Sequence, residues 1–200
     1  MSKVLDMLKE AVELLEEKEK SKKVELSTLK PGEVFKAGEH DFLVLEQGHD
    51  GVTAVISKNL MKENVVFDSD GTDYTKSCLR NIIDTEIYPL FEEAFGEDNL
   101  VPHRVDLTTV DMQEPFSNYF CKVRPLTFDE ARKYNKLLVN KELPDWYWTC
   151  TPLSTKERGW GSSLVVVAPA GDIGRSCFNY SCGVRPFCIL KSNIFVSKVD

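Results

Sequence analysis

The stretch WYWTCTP at residues 146–152 opens the last quarter of the chain, in which short apolar segments alternate with tight turns. It is followed by SLVVVA at 163–168 and GVRPFCIL at 183–190, segments with the β-branched and aromatic residues that favour strands. Turns at PAGD, residues 169–172, and around Gly174 separate these segments. The strands predicted from this pattern cover 146–151, 163–168 and 183–190.

The part of the chain before residue 140 mixes extended and helical patterns. The predicted elements are a hairpin over 34–45 bent at 38–40, a strand over 52–57, and helices over 77–86 and 87–95. TFDE at 127–130 has the spacing of a capping box, in which Thr127 caps a helix and Glu130 reaches back to it. That helix is expected to run to about Val139. The order of elements predicts an α+β fold class.

The N-terminal 23 residues differ from the rest of the chain. Apolar residues there alternate at spacings of three and four, as the a and d positions of a heptad repeat do, and predict a helix over 2–23. These positions are Leu5, Leu8, Val12 and Leu15. Such a helix either packs on its own domain or holds a homo-oligomer together. The sequence is therefore divided into a helix, 1–23, and one domain, 24–200.

Composition and charge exclude several classes of protein. A chain of 200 residues with a net charge of −7 and a pI near 5.1 lacks the clustered cations that binding to a nucleic-acid backbone requires. Residues 1–20 contain no continuous apolar stretch typical of a secretory signal, and no span elsewhere is long enough to cross a bilayer. We expect a cytoplasmic or virion-associated protein with no membrane partner, and therefore six reduced cysteines.

Motifs for metal binding and catalysis are weak. Asp68, Asp70 and Asp73 resemble part of a calcium loop, but the glycine and glutamate positions of an EF-hand are not matched, and the stretch fits an ordinary turn. The three histidines have no zinc-like spacing to one another or to cysteine. No nucleophile elbow, phosphate-binding glycine loop or dinucleotide fingerprint occurs. We expect no catalytic residue, no metal ion and no cofactor.

The cysteines near the end of the chain leave two interpretations open. Cys177 and Cys182 are five residues apart, so their thiolates could bind a soft metal or form a redox pair across a turn. A free cysteine also behaves as a small buried hydrophobic residue. Cys182 and Cys188 are an even number of residues apart, which places them on one face of an extended strand and favours a role in the core.

The segment 146–180 is unusually rich in side chains that dominate recognition surfaces. Aromatic residues and arginine give a large contact area for little loss of conformational entropy. Trp148 fits an ordinary core position. The expected ligand-contact residues, which lie beside glycine-containing turns or in the same stretch, are Arg158, Trp160, Ser162, Arg175, Asn179 and Tyr180.

Several segments resemble an uncharacterised bacterial and phage domain family. The matching stretches are WYWTCTP at 146–152, the Gly171-Asp172 turn, GVRP at 183–186, and, upstream, VISK at 55–58, LRN at 79–81 and LTFDEA at 126–131. The resemblance covers roughly residues 30–190. That family is similar to the C-type lectin-like fold in the form shared with formylglycine-generating enzymes and the variable proteins of diversity-generating retroelements.

The resemblance implies roles for individual residues. Arg185 is expected to be a buried, paired structural arginine and Trp148 a core residue, while the ligand face comes from about 153–181 and binds protein or sugar without chemistry. Cys150 stands where the family has an arginine. Glu114-Pro115 is the only part of the sequence similar to a calcium-dependent sugar-binding motif, and the asparagine or aspartate that should follow is absent. No calcium-dependent sugar site is therefore expected.

The hypothesis from sequence is a non-catalytic recognition domain of phage or bacterial origin for a protein or carbohydrate ligand. A first alternative is a formylglycine-generating-type copper or thiol oxidase that uses Cys177 and Cys182. In those oxidases, however, a further stretch separates the cysteine pair from the terminal strand, whereas here Cys182 directly precedes Gly183. A second alternative is a structural particle protein that assembles through the helix over 1–23.

Overall fold

The computed structural model describes residues 5, 7, 23–117 and 119–199 of the chain. The predicted helix over 2–23, with its suggested role in oligomerisation, therefore lies largely outside the described residues. Leu5 and Met7 have helical backbone, and their side chains are 57% and 65% exposed. Lys23, the last residue of that prediction, belongs instead to the first strand.

Strands are the predominant regular structure of the described residues and form three sheets. The strands are β1 (Lys23–Glu25), β2 (Val34–Ala37), β3 (His40–Gln47), β4 (Val52–Ser57), β5 (Lys62–Val66), β6 (His103–Val105), β7 (Tyr119–Cys121), β8 (Val123–Arg124), β9 (Tyr147–Pro152), β10 (Ser163–Val167), β11 (Ile173–Cys177), β12 (Ser181–Val184), β13 (Phe187–Lys191) and β14 (Phe195–Lys198). One sheet has the order β1-β14-β2-β3-β4-β13-β8, a second has the order β11-β10-β9-β12-β5, and β6 pairs with β7. The predicted hairpin and the strand over 52–57 are confirmed as β2, β3 and β4.

The described helices are short. They are α1 (Cys78–Ile82), a π-helical turn (Ile83–Ile87), α2 (Tyr88–Phe95), α3 (Phe128–Lys133) and α4 (Asn135–Leu138), with 3₁₀ turns at Leu26–Thr28, Tyr74–Lys76 and Glu97–Asn99. Ser77 caps α1 by accepting a hydrogen bond from the Arg80 N–H at 3.0 Å. Gly96, at φ +77°, ends α2 as predicted, because a left-handed residue cannot continue a helix.

The predicted capping box is confirmed at the start of α3. The Thr127 hydroxyl accepts a hydrogen bond from the Glu130 N–H at 3.2 Å, and the Glu130 carboxylate accepts one from the Thr127 N–H at 2.8 Å. The helix predicted to run to Val139 is interrupted at Tyr134, whose φ of −99° and ψ of 9° leave the helical region. The result is two short helices, α3 and α4, in place of one.

The second sheet lies between two apolar clusters. Alternate residues of β9 and β10, among them Trp148 and Leu164, pack in the larger cluster with α1, α2 and the first sheet. Tyr147 and Val167 face the opposite way and pack with α3 and α4. Trp148 is fully buried, as predicted, and its indole N–H donates to the Val65 carbonyl at 2.7 Å.

Two further predictions of local structure are wrong. The strand expected over 183–190 is broken at Arg185 and Pro186, where the chain leaves β12 in one sheet and enters β13 in the other. Gly174, expected in a turn, lies within β11; the Trp146 ring covers it so closely that a Cβ would come within 2.9 Å of the ring. The coarse prediction is confirmed: the domain is α+β, mostly sheet with a few short helices.

Candidate functional site

The residues predicted to contact a ligand lie on three neighbouring segments of the second sheet. These segments are the 153–162 connection between β9 and β10, the edge strand β11, and the 178–180 turn before β12. The Phe178 N–H donates to the Ser162 carbonyl at 3.0 Å and ties the turn to the connection. All six predicted side chains, Arg158, Trp160, Ser162, Arg175, Asn179 and Tyr180, are exposed. We call the surface that they form the contact surface.

The 153–162 connection is held by its own backbone. The Trp160 N–H donates to the Thr155 carbonyl at 3.1 Å, and the Ser163 N–H donates to the Trp160 carbonyl at 3.1 Å. A Cβ at Gly161 would lie 2.7 Å from the Lys156 Cα, so the fold of this loop requires glycine there. The loop therefore presents Trp160 from a defined backbone, although its indole is 45% exposed.

Trp160 and Arg175 are in direct contact. The guanidinium carbon of Arg175 lies 4.5 Å from the centre of the Trp160 ring, and one guanidinium nitrogen donates to the Ser163 hydroxyl at 3.4 Å. An arginine stacked on an aromatic face keeps its outward donors free for an acceptor on another molecule. This pair links the 153–162 connection to β11.

Arg158 is held at one side of the contact surface by a carboxylate that sequence reasoning missed. Its guanidinium lies 3.1 Å from the Asp111 carboxylate, which also accepts hydrogen bonds from the Ser154 and Thr109 hydroxyls, each at 2.6 Å. The Ser154 hydrogen bond, followed by that of Thr109, lowers the pKa of Asp111. No local pattern around Asp111 marks it, because its partners Ser154 and Arg158 are distant in sequence.

Asn179 and Tyr180 occupy the turn that leaves β11. The turn is closed by the Tyr180 N–H, which donates to the Cys177 carbonyl at 3.0 Å, and Phe178 packs inward against the larger apolar cluster. The Tyr180 ring is 66% exposed. Within the described part of the chain, neither Asn179 nor Tyr180 forms a side-chain hydrogen bond. Both polar groups are therefore available to a ligand.

The cysteines are free thiols that lie mostly in the core. Cys177 is partly buried, and Cys182, 5% exposed, has its pKa raised to about 11 by burial. The prediction that Cys182 and Cys188 share a face of one strand is wrong, because they lie on β12 and β13 in different sheets; both are buried nonetheless. Burial also raises the pKa of Cys150 to about 12.

Arg185 and Arg124 are the two buried arginines of the domain core, 1% and 2% exposed. Arg185 donates to the carbonyls of Ser57 and Leu138, at 2.8 and 2.9 Å, and to the Tyr147 hydroxyl at 3.3 Å. Its predicted place in the core is thus confirmed, with carbonyls rather than a carboxylate as partners. Burial lowers its pKa.

His103 is locked in its neutral form beside Arg124. Its Nδ1 lies 3.1 Å from the Val101 carbonyl, and its Nε2 lies 3.0 Å from the Arg124 Nε, which can only donate. The histidine therefore donates from Nδ1 and accepts at Nε2, and a second proton would face the arginine N–H. Burial, and then the charge of Arg124, lowers the pKa of His103 to about 4, while Glu130 opposes the shift.

The pKa of His103 predicts a loss of stability in weak acid. Between its ordinary value of 6.5 and about 4, the unfolded chain holds a proton that the folded chain does not, so each fall in pH favours unfolding. The expected loss across this range is up to about 3 kcal/mol. Urea unfolding at a series of pH values should show this slope reduced in His103→Gln and retained in His49→Gln, an exposed control. An unchanged slope in His103→Gln would contradict the assignment.

Within the described residues, no group of three or more His, Cys, Asp or Glu side chains could hold a metal ion. None of the described helices combines the length and apolar composition of a membrane-spanning segment. No family model, curated protein or solved structure matches the chain.

Proposed function

We propose that this chain is a non-catalytic ligand-recognition domain with C-type lectin-like topology, of phage or bacterial origin, which binds a protein or carbohydrate ligand through the contact surface. The observation that supports the proposal is the exposed pair of Trp160 and Arg175, with four further recognition-type side chains exposed on segments that adjoin the same sheet. The segments that carry these side chains adjoin β9 and β10, whose residues are buried on both faces of the second sheet. Rigid support lowers the entropy that binding would otherwise cost.

The chemistry of the contact surface suits recognition. Trp160 and Tyr180 offer large exposed rings, and Arg175 offers guanidinium donors fixed by stacking. Such rings and guanidinium groups are the usual anchors of binding energy at protein surfaces. Ser162 and Asn179 add small polar groups at the rim, which can fix the orientation of a ligand.

The two alternatives from sequence have less support. An oxidase that uses Cys177 and Cys182 needs accessible thiolates, whereas Cys182 is buried and its pKa is about 11. Assembly through the helix over 1–23 concerns a segment that lies largely outside the described residues. Recognition by the contact surface is therefore the function that the described residues favour.

Replacing Trp160 tests this proposal. The full chain would be screened against an immobilised glycan array and a display library of random linear peptides, and the affinity of the selected probe measured by calorimetry. Trp160→Ala should weaken binding by about thirtyfold or more, the effect of losing a central anchor. Because the ring is 45% exposed, unfolding stability should fall by less than about 1 kcal/mol.

A matched control is available on the opposite part of the molecule. Phe195 on β14 is 67% exposed and belongs to the other sheet, so Phe195→Ala removes a similar exposed ring away from the contact surface. Its binding should equal that of the parent chain. Equal affinity of Trp160→Ala and Phe195→Ala, or the absence of any binder in both libraries, would contradict the proposal.

A further inference from the structure

Strand β11 is a regular edge strand of the second sheet. Within the described residues it pairs with β10 and with no strand on its other side. The pairing runs without a bulge through five residue pairs, from Ser163 with Cys177 to Val167 with Ile173. An edge of this kind carries a row of backbone donors and acceptors that can pair with another chain.

The register shows which backbone groups point outward. The Ala168 N–H donates to the Asp172 carbonyl at 2.8 Å at one end of the ladder, and the Phe178 N–H donates to the Ser162 carbonyl at 3.0 Å at the other. Hydrogen-bonded pairs alternate along an antiparallel ladder, so Gly174 and Ser176 bond to β10 in the same way. Ile173 and Arg175 alternate with these bonded residues, so their N–H and C=O groups point away from β10.

The other edge strands of the two large sheets carry protection that β11 lacks. At the far edge of the same sheet, β5 has a register shift opposite β12, the charged residues Lys62 and Glu63, and a positive φ of 56° at Asn64. In the first sheet the edge strands are only three and two residues long, β1 and β8. Bulges, charges and shortness are the usual means of preventing edge pairing. β11 has five residues and a single charge, Arg175.

Arg175 gives this edge a preference for one charge. Its guanidinium contacts the Trp160 ring and the Ser163 hydroxyl, and no carboxylate of the described residues pairs with it. Arg158, by contrast, is already paired with Asp111. In a chain with a net charge of −7, an uncompensated arginine beside an open strand edge is complementary to a carboxylate on a partner.

We infer that the ligand of the contact surface is an extended acidic polypeptide segment that adds to β11 as a further strand. Its main chain bonds to the outward N–H and C=O groups of Ile173 and Arg175, about 7 Å apart along the strand. An aspartate or glutamate of the segment lies opposite Arg175, and Trp160 packs beside it. This inference rests on the proposed function and deepens it by naming the partner as polypeptide rather than carbohydrate.

Selection from a library of random linear peptides of about seven residues tests the charge preference. Peptides enriched on the full chain should carry aspartate or glutamate flanked by β-branched residues. On Arg175→Gln the acidic preference should disappear, and the affinity of a synthetic selected peptide should fall about tenfold. Enrichment of basic or neutral peptides, or no enrichment at all, would overturn the inference.

Proline at position 173 tests the main-chain pairing itself. Ile173→Pro removes an N–H that points outward and leaves the β10 ladder intact, since proline is tolerated at the first residue of an edge strand. The selected peptide should bind this variant at least about tenfold more weakly, whereas Ile173→Val should bind normally. Amide exchange in the unmutated chain gives a second readout that does not depend on how the variant folds. Saturating peptide should slow exchange at the Ile173 and Arg175 amides.

The outcomes separate the two proposals. One outcome overturns strand addition but keeps recognition by the contact surface. In it, Trp160→Ala loses binding, Ile173→Pro binds normally, and peptide does not slow amide exchange at Ile173 and Arg175. If the screens select a glycan but no peptide, strand addition is likewise overturned and recognition by the contact surface is retained. If Trp160→Ala, Arg175→Gln and Ile173→Pro all bind like the parent chain, recognition by the contact surface fails as well.

Discussion

Arg185→Leu is expected to lower the free energy of unfolding by about 3–5 kcal/mol, because it removes the donor that satisfies two buried carbonyls. Arg185 is 1% exposed, and its guanidinium reaches the Ser57 carbonyl on β4 and the Leu138 carbonyl at the end of α4. Leucine has a comparable apolar stem but no donor. Urea unfolding at neutral pH, followed by circular dichroism, measures the loss.

Arg185 replaces a backbone hydrogen-bond donor that the neighbouring Pro186 lacks. The register of β4 and β13 places Ser57 opposite Pro186, and the Ser57 N–H donates to the Pro186 carbonyl at 3.0 Å. An ordinary residue at position 186 would return a hydrogen bond to the Ser57 carbonyl, but proline has no N–H. The Arg185 Nε takes that place at 2.8 Å. The second carbonyl, that of Leu138, is one of those that every helix end leaves unpaired.

Restoring the missing N–H should reduce the cost of losing the arginine. In a Pro186→Ala background, Arg185→Leu is expected to cost about 1–2 kcal/mol less than in the parent chain, because the alanine N–H can donate to the Ser57 carbonyl. The stability of Arg185→Lys should lie between that of the parent chain and that of Arg185→Leu. An ammonium group can donate a hydrogen bond, but it lacks the fork that reaches both carbonyls. Equal costs of Arg185→Leu in the two backgrounds would show that the arginine does not replace the missing bond.

The sequence allowed β2, β3, β4, β9 and β10 to be predicted because these strands depend on local composition. Runs such as SLVVVA become strands in almost any setting that buries them, and polar and aromatic residues beside glycine turns are commonly exposed. All six expected contact residues are exposed, which the sequence alone left open. Whether they bind a ligand, and whether the topology is C-type lectin-like, stay predictions.

The features that sequence reasoning missed depend on contacts between distant residues. The break at Arg185 and Pro186 reflects a passage between two sheets, which a run of extended residues does not reveal. Gly174 was taken for a turn residue, whereas its lack of a side chain makes room for the Trp146 ring. The role of Asp111 depends on residues more than forty positions away. In each case tertiary packing overrides the local signal.

Glu130→Gln is the second substitution with a large expected effect, a loss of about 3 kcal/mol in unfolding free energy. Arg124 is 2% exposed and forms two hydrogen bonds of 2.6 Å with the Glu130 carboxylate. Although burial disfavours its charge, the hydrogen bonds and charge of Glu130 raise the pKa of Arg124, so the arginine stays charged. Glutamine keeps the shape of the side chain and an acceptor for the Thr127 N–H, but it leaves the buried cation without a counter-charge.

Removing both charges together should cost less than the sum of the single changes. Arg124→Met combined with Glu130→Gln leaves no buried ion, so a double-mutant cycle should give a positive coupling of about 1–3 kcal/mol. Arg132→Ala is the control: its pair with Asp129 lies on the same helix but is exposed, and its loss should cost about 0.5 kcal/mol or less. Additive single changes would show that the cation does not depend on Glu130.

The pH dependence gives an independent check on the same pair. Burial disfavours the Glu130 carboxylate, yet the hydrogen bonds and charge of Arg124 hold its pKa below the ordinary value of 4.5. Its stabilisation is therefore fully present above that value and is lost as the pH falls through the lowered pKa. In Glu130→Gln this part of the acid unfolding should vanish, while the slope between pH 6.5 and 4 that comes from His103 should remain. The His103 slope begins near pH 6.5, well above the ordinary pKa of a glutamate, so the upper part of that slope reports His103 alone. A variant that removed both slopes would show that the network opens as a unit.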